Sequence, residues 1–81
     1  MARTGTPDAH LAALLRELRT SQDRSQETVA YEAGLTHASL GRIERAESDP
    51  GWSSVVKIAD ALGVSFEELG RQFDERRKSS P

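Results

Sequence analysis

Eighty-one residues with 36% hydrophobic content, four aromatics and no cysteine make one small domain with a modest core and exclude disulfides, thiolate metal sites and cysteine nucleophiles. A net charge of −2 argues against the basic surface usual in a nucleic-acid binder. The charge is unevenly spread, however, with six arginines against six acids in residues 1–46 and five basic against seven acidic residues in 47–81, and binding answers to the local field of a face rather than to the sum.

Leu, Ala, Glu and Arg dominate between short Gly, Ser and Pro breaks, which favours helices throughout. Residues 1–6 read as a flexible arm. A first helix is predicted over Pro7–Ser21, with Thr6 as cap, Pro7 at the first helical position and Leu11, Leu14, Leu15 and Leu18 as its buried stripe. A short second helix covers Gln26–Ala33, capped by Ser25, with Val29, Ala30 and Ala33 inward and Gly34 as its stop. The third, His37–Arg45, follows at once, capped by Thr36, with Leu35 and Leu40 set to staple its start. Only Leu40 and Ile43 are large and apolar in it, so one face must be exposed. After the loop Glu47–Gly51, a fourth helix runs over Trp52–Leu62 with Trp52, Val55, Val56, Ala59 and Leu62 inward, and Gly63 ends it. The fifth opens on Ser65-Phe66-Glu67-Glu68, a capping box with Val64 and Leu69 as its staple, and Phe66, Leu69 and Phe73 share a face. Residues 75–81 lack apolar periodicity and read as a flexible polar tail, which leaves 7–74 as the folded domain.

Ser25–Arg45 is the informative stretch: two helices of about two turns each, joined by Ala33-Gly34-Leu35-Thr36, the short connection of a helix-turn-helix. The residues Ser25-Gln26-Glu27, Ala30, Ala33-Gly34-Leu35-Thr36, Ile43-Glu44-Arg45 and Pro50 resemble the phage-repressor/Cro (XRE-like) helix-turn-helix family. Leu62-Gly63-Val64 with Glu68-Leu69, and Leu15-Arg16-Glu17-Leu18-Arg19 upstream, extend the resemblance over about Leu11–Phe73. It implies an all-α, five-helix, lambda-repressor-like DNA-binding fold whose third helix enters the major groove, usually as a homodimer on double-stranded DNA. The family's base-reading positions fall on His37, Ala38, Ser39 and Arg42. Arg42 can make two parallel hydrogen bonds to a guanine, His37 can donate, Ser39 can do either, and the Ala38 methyl can touch a thymine. The phosphate positions fall on Gln26 and on Gly51, Trp52 and Ser53 at the start of the fourth helix, where free N–H groups favour anions; Arg45 and Ser48 are further backbone contacts. Arg19 and Glu44 match a pair that bridges the first and third helices.

The sequence departs from the family at Asp23 and Arg24, often Gly and an apolar residue, and at Ala46, often Gly. Asp tolerates the left-handed conformation, so the first turn is expected to survive; Arg24 is left to lean over the helix or face phosphate; and the loop after the third helix is expected to take another path. Sequence preference then rests on few contacts and on DNA shape.

No nucleophile, base and oxyanion donor occur in a recognised spacing, and two distant histidines without cysteine do not make a zinc site; neither an enzyme, a cofactor nor a small-molecule ligand is expected. No apolar run nears the ~20 residues of a membrane span, and Met1–Thr6 lacks a signal peptide's apolar stretch, so a cytoplasmic protein is expected. For self-association Phe66 and Phe73 are the candidates, with Phe73 the exposed anchor unless it folds back on Leu11 or Leu15. The alternative is a protein-binding adaptor or antitoxin-type partner on the same fold, which would show an apolar or acidic patch on the third helix.

Overall fold

Asp8 opens the first helix in the computed structural model, which describes residues 8–79. Its carboxylate accepts from the backbone N–H groups of His10 (2.8 Å) and Leu11 (3.1 Å), answering two of the donors a helix start leaves free. Helix α1 therefore runs Ala9–Ser21, two residues later than predicted; Thr6, Pro7 and the expected arm lie outside the described residues. The others are α2 (Gln26–Ala33), α3 (His37–Glu44), α4 (Trp52–Ala61) and α5 (Phe66–Ser79), with no strand among the described residues. Ser25 caps α2 and Thr36 caps α3, each hydroxyl oxygen accepting from an N–H three residues on at 3.0 Å.

The first four helices end alike. Asp23, Gly34, Ala46 and Gly63 all sit at φ between 56° and 73°. Each passes its N–H back to a carbonyl three residues earlier, and the next residue reaches back five, as in Glu47 N–H to Arg42 C=O at 2.8 Å. This is the Schellman closure. Asp23 holds the turn, as expected of an aspartate. The loop after α3 closes like the other three turns rather than along another path: Ala46 takes the left-handed conformation that glycine would occupy, and bears the strain of its Cβ.

Leu14 and Leu15 from α1, Val29, Ala30 and Ala33 from α2, Leu40 and Ile43 from α3, Ile58, Ala59 and Leu62 from the α4 end, and Leu69 from α5 form one core. The small residues of α2 let it pack closely on both α3 and α4, while α1 packs on α3 and α5. The α4 face is rotated from its predicted position. Its centre is Val55, Ile58, Ala59 and Leu62, a regular i, i+3, i+4, i+7 set, so Ile58 is fully buried and Trp52, expected inward, is 74% exposed. The Trp52 ring meets Phe66 edge-on, centroids 4.6 Å apart.

Helix α5 starts with half a capping box. Ser65 Oγ accepts from Glu68 N–H at 3.0 Å, but the Glu68 carboxylate turns to Arg71 and Gln72. The helix then continues through the predicted tail to Ser79. Arg71–Glu75 and Arg77–Asp74 ion pairs, the Arg77 guanidinium 5.1 Å from the Phe73 ring centre and an Arg76–Glu17 pair to α1 hold this stretch, which has no apolar stripe to signal it. Phe73 is half-buried against the core. The exposed aromatic on this helix is Phe66, at 38%, which reverses the expected order of the two.

Candidate nucleic-acid interface

Helix α3 has two unlike faces. Leu40, Gly41, Ile43 and Glu44 are buried, whereas His37, Ala38 and Arg42 are exposed and Ser39 is half-buried. A helix of eight residues is too short to hold itself, so its position is set by what the buried face grips. Part of that grip is polar. Glu44, whose side chain is 2% exposed, takes Nε of Arg19 at 2.8 Å and Nη2 at 3.0 Å, with Arg19 itself 13% exposed. The predicted α1–α3 bridge is thus a two-pronged, buried pair, and the hydrogen bond to Glu44 raises the Arg19 pKa further. Arg19 Nη1 also donates to the Arg24 carbonyl at 2.8 Å, which pins the chain leading into α2.

Gln26, first residue of α2, completes the cluster. Its Nε2 donates to Glu44 Oε1 at 2.9 Å, and its Oε1 lies 3.0 Å from His37 Nε2. Gln26, His37, Ala38, Gly41, Arg42, Arg45 and Glu47 line one shallow hollow on the outer side of α2 and α3. Four of the sequence-expected contact residues besides Ala38 therefore converge there: Gln26, His37, Arg42 and Arg45. Gly41 forms the floor, where a Cβ would lie 3.0 Å from the tip of the Arg45 side chain. Arg42 has no ion-pair partner among the described residues.

The remaining expected residues lie outside the hollow. Ser48 is half-buried in the loop. Gly51 is the N-cap of α4 and supplies no side chain to its first N–H groups, and Ser53 is exposed. Trp52 borders an apolar groove of about 250 Å³ with Leu11, Val55, Phe66 and Phe73, and no side chain caps the α4 start. Arg24 does not face outward to a phosphate. It pairs with Glu32 and donates to the Ala61 carbonyl, while Gln22 Nε2 donates to the Leu62 carbonyl at 2.8 Å; the α1–α2 turn thereby closes the end of α4.

Two features were not anticipated. Glu47 binds Arg45 through both carboxylate oxygens, at 3.1 and 3.2 Å. The pairing lowers the Glu47 pKa and raises that of Arg45. A loop pair two residues apart follows no helical spacing rule. The chain of contacts Arg19–Glu44–Gln26–His37 joins three helices, and only its first link had a family precedent to point to it.

A Helix-turn-helix domain family profile matches residues 10–72, close to the Leu11–Phe73 span of the sequence resemblance, and the chain belongs to that family. It is 39% identical over 56 residues to the HTH-type transcriptional regulator SutR of Escherichia coli, covering 69% of this chain and 32% of that protein. It is 36% identical over 55 residues to the cryptic phage CTXphi transcriptional repressor RstR of Vibrio cholerae, covering 68% and 49%. Among solved structures, the restriction-modification controller protein C.AhdI from Aeromonas hydrophila superposes with a TM-score of 0.72 at 36% identity, covering 75% of this chain and 92% of that one. The chain spans about a third to a half of the length of these two curated relatives.

Proposed function

We propose that the chain is a sequence-specific, double-stranded-DNA-binding transcriptional regulator that represses from a palindromic operator as a homodimer, with α3 in the major groove. The observation that carries this reading is the hollow formed by Gln26, His37, Arg42 and Arg45 on the exposed side of a helix whose other side is locked into the core. Base edges are read by His37, Ala38, Ser39 and Arg42. Gln26, Arg45, Ser48 and the uncapped α4 start at Gly51, Trp52 and Ser53 hold phosphates, the last through backbone N–H groups. Neither an apolar nor an acidic patch occupies the outer face of α3 itself, which favours DNA over a protein-binding adaptor. Small-molecule chemistry is no part of the proposal.

A single recognition helix reads too few base pairs for genomic discrimination, and a two-fold pair reads a palindrome with its helices about 34–36 Å apart. The exposed Trp52–Phe66 edge and its groove form the surface for that pairing, with Phe73 behind it rather than at its tip. Selection of bound sites from random DNA, followed by binding curves at several salt concentrations, tests the reading. Arg42→Ala should weaken specific binding by about 1–3 kcal/mol and relax preference at one position, whereas Arg45→Ala should weaken all sequences alike. A selection that enriches no site overturns the proposal. Sedimentation that finds a monomer with and without the selected site removes the dimer from it.

A further inference from the structure

The contacts of Gln26 fix which way its amide points, and through it what His37 has left to offer. An ionised carboxylate is an acceptor only, and Glu44 already receives both prongs of Arg19. The Gln26 group on Glu44 must therefore be the NH2, as found at 2.9 Å. The Gln26 oxygen is then turned outward, where it meets His37 Nε2 at 3.0 Å. An amide oxygen can only accept, so that ring nitrogen must carry the hydrogen. A neutral imidazole has one N–H and one bare nitrogen, so the bare one is Nδ1.

We propose that Glu44, acting through Gln26, commits the His37 N–H to the protein and leaves Nδ1, an acceptor, as the ring's only free polar atom for a base edge. This rests on the DNA-binding reading above and refines it, reversing the donor role that the sequence suggests for His37. In the major groove an acceptor seeks an exocyclic amino group: adenine N6 or cytosine N4. Guanine and thymine offer acceptors at the corresponding positions and leave Nδ1 facing a lone pair. His37 thus selects an amino-bearing base, and Glu44 and Gln26 are positioning residues for that choice although neither touches the base.

The first arm of the test needs no DNA. The nitrogen shifts of the His37 ring, measured on the full 15N-labelled chain at about pH 8, where a free imidazole is neutral, should show a protonated Nε2 and a bare Nδ1. In Glu44→Gln the inner partner gains a donor, the Gln26 amide is free to turn over, and His37 should shift toward the Nδ1–H form. Gln26→Ala, which leaves the Arg19–Glu44 pair in place, should relax the ring to an ordinary mixture and serves if Glu44→Gln does not fold. A wild type with Nδ1 protonated, or a nitrogen pattern unmoved by either variant, overturns the inference while leaving DNA binding intact.

The second arm uses the selected site. The position whose preference is lost in His37→Ala should hold adenine or cytosine. For adenine, replacement by purine, which lacks the amino group, should weaken wild-type binding about 3- to 10-fold, one neutral hydrogen bond, and leave His37→Ala unaffected. Sensitivity to 7-deazaadenine instead, or guanine at that position, makes His37 a donor and overturns the proposal. Recovery of no site at all overturns both the base choice and the regulator reading, whatever the nitrogen shifts show.

Discussion

Replacing Arg19 by methionine should cost more than replacing its partner, because the two charges are buried to different depths. The Glu44 side chain is 2% exposed and would lose two of its three hydrogen bonds, keeping only Gln26. Stranding one buried charge of a pair costs about 3–5 kcal/mol. At about 0.05–0.15 kcal/mol per residue, a domain of this length has roughly 4–12 kcal/mol in all, so Arg19→Met removes about a quarter or more of it. Glu44→Leu leaves Arg19 with the Arg24 carbonyl and an edge near water; the expected loss is the lesser one of an unmade hydrogen bond, about 1–3 kcal/mol. The double variant should lose less than the sum, by a coupling of about 1–3 kcal/mol. Urea unfolding followed by circular dichroism measures all three. A cost below about 1 kcal/mol, the range of exposed pairs, would refute the reasoning.

Three further outcomes are expected. Ala46→Gly should stabilise the protein by about 0.5–1 kcal/mol in the same assay, since relief of about 1–2 kcal/mol of left-handed strain outweighs the about 0.4–1 kcal/mol of extra unfolded-chain entropy; a loss of stability would show that Ala46 is not strained. The Glu68 carboxyl, held down to about 2 chiefly by its hydrogen bond to Arg71, should titrate there by NMR and return toward the ordinary carboxylate range in Arg71→Gln; since its folded pKa is depressed, whatever it adds to α5 is present above about pH 4.5 and fades as pH falls toward 2. Glu47→Gln should strengthen DNA binding and steepen the logarithmic salt slope by about 0.9, one further phosphate neutralised, because it frees the Arg45 guanidinium from a competing carboxylate; unchanged binding would remove Arg45 from the phosphate contacts.

The helices were legible where local rules decide them. Ser25, Thr36 and Gly34 set the α2–α3 turn by capping and handedness alone, and that turn was read to the residue. Errors arose where two local choices were equally good. Thr6-Pro7 and Asp8 both suit a helix start, and the Trp52 and Ile58 registers of α4 share Val55, Ala59 and Leu62, so only packing on α2 decides between them. The end of α5 could not be read because ion pairs and one contact with Glu17 hold it, and these leave no apolar period. In the site, the family resemblance pointed to the Arg19–Glu44 pair, which the structure contains. It also named His37 and Arg45, but not the partner each one has, Gln26 or Glu47, since no spacing rule connects them.

On the DNA-binding reading proposed above, the division of α3 into a gripping face and an outward face bears on how such a protein changes its target. At Ala38 and Arg42 a graft from a relative with another operator could then be made residue by residue, because the buried Leu40, Ile43 and Glu44 hold the helix without them. Position 37 is different: its ring is wired to Gln26, eleven residues earlier and on another helix. A substitution there inherits an outward-facing amide oxygen chosen for histidine, so a new target specificity at this point must be acquired by two positions in step, and lineages that diverge in operator should carry 26 and 37 as a matched pair.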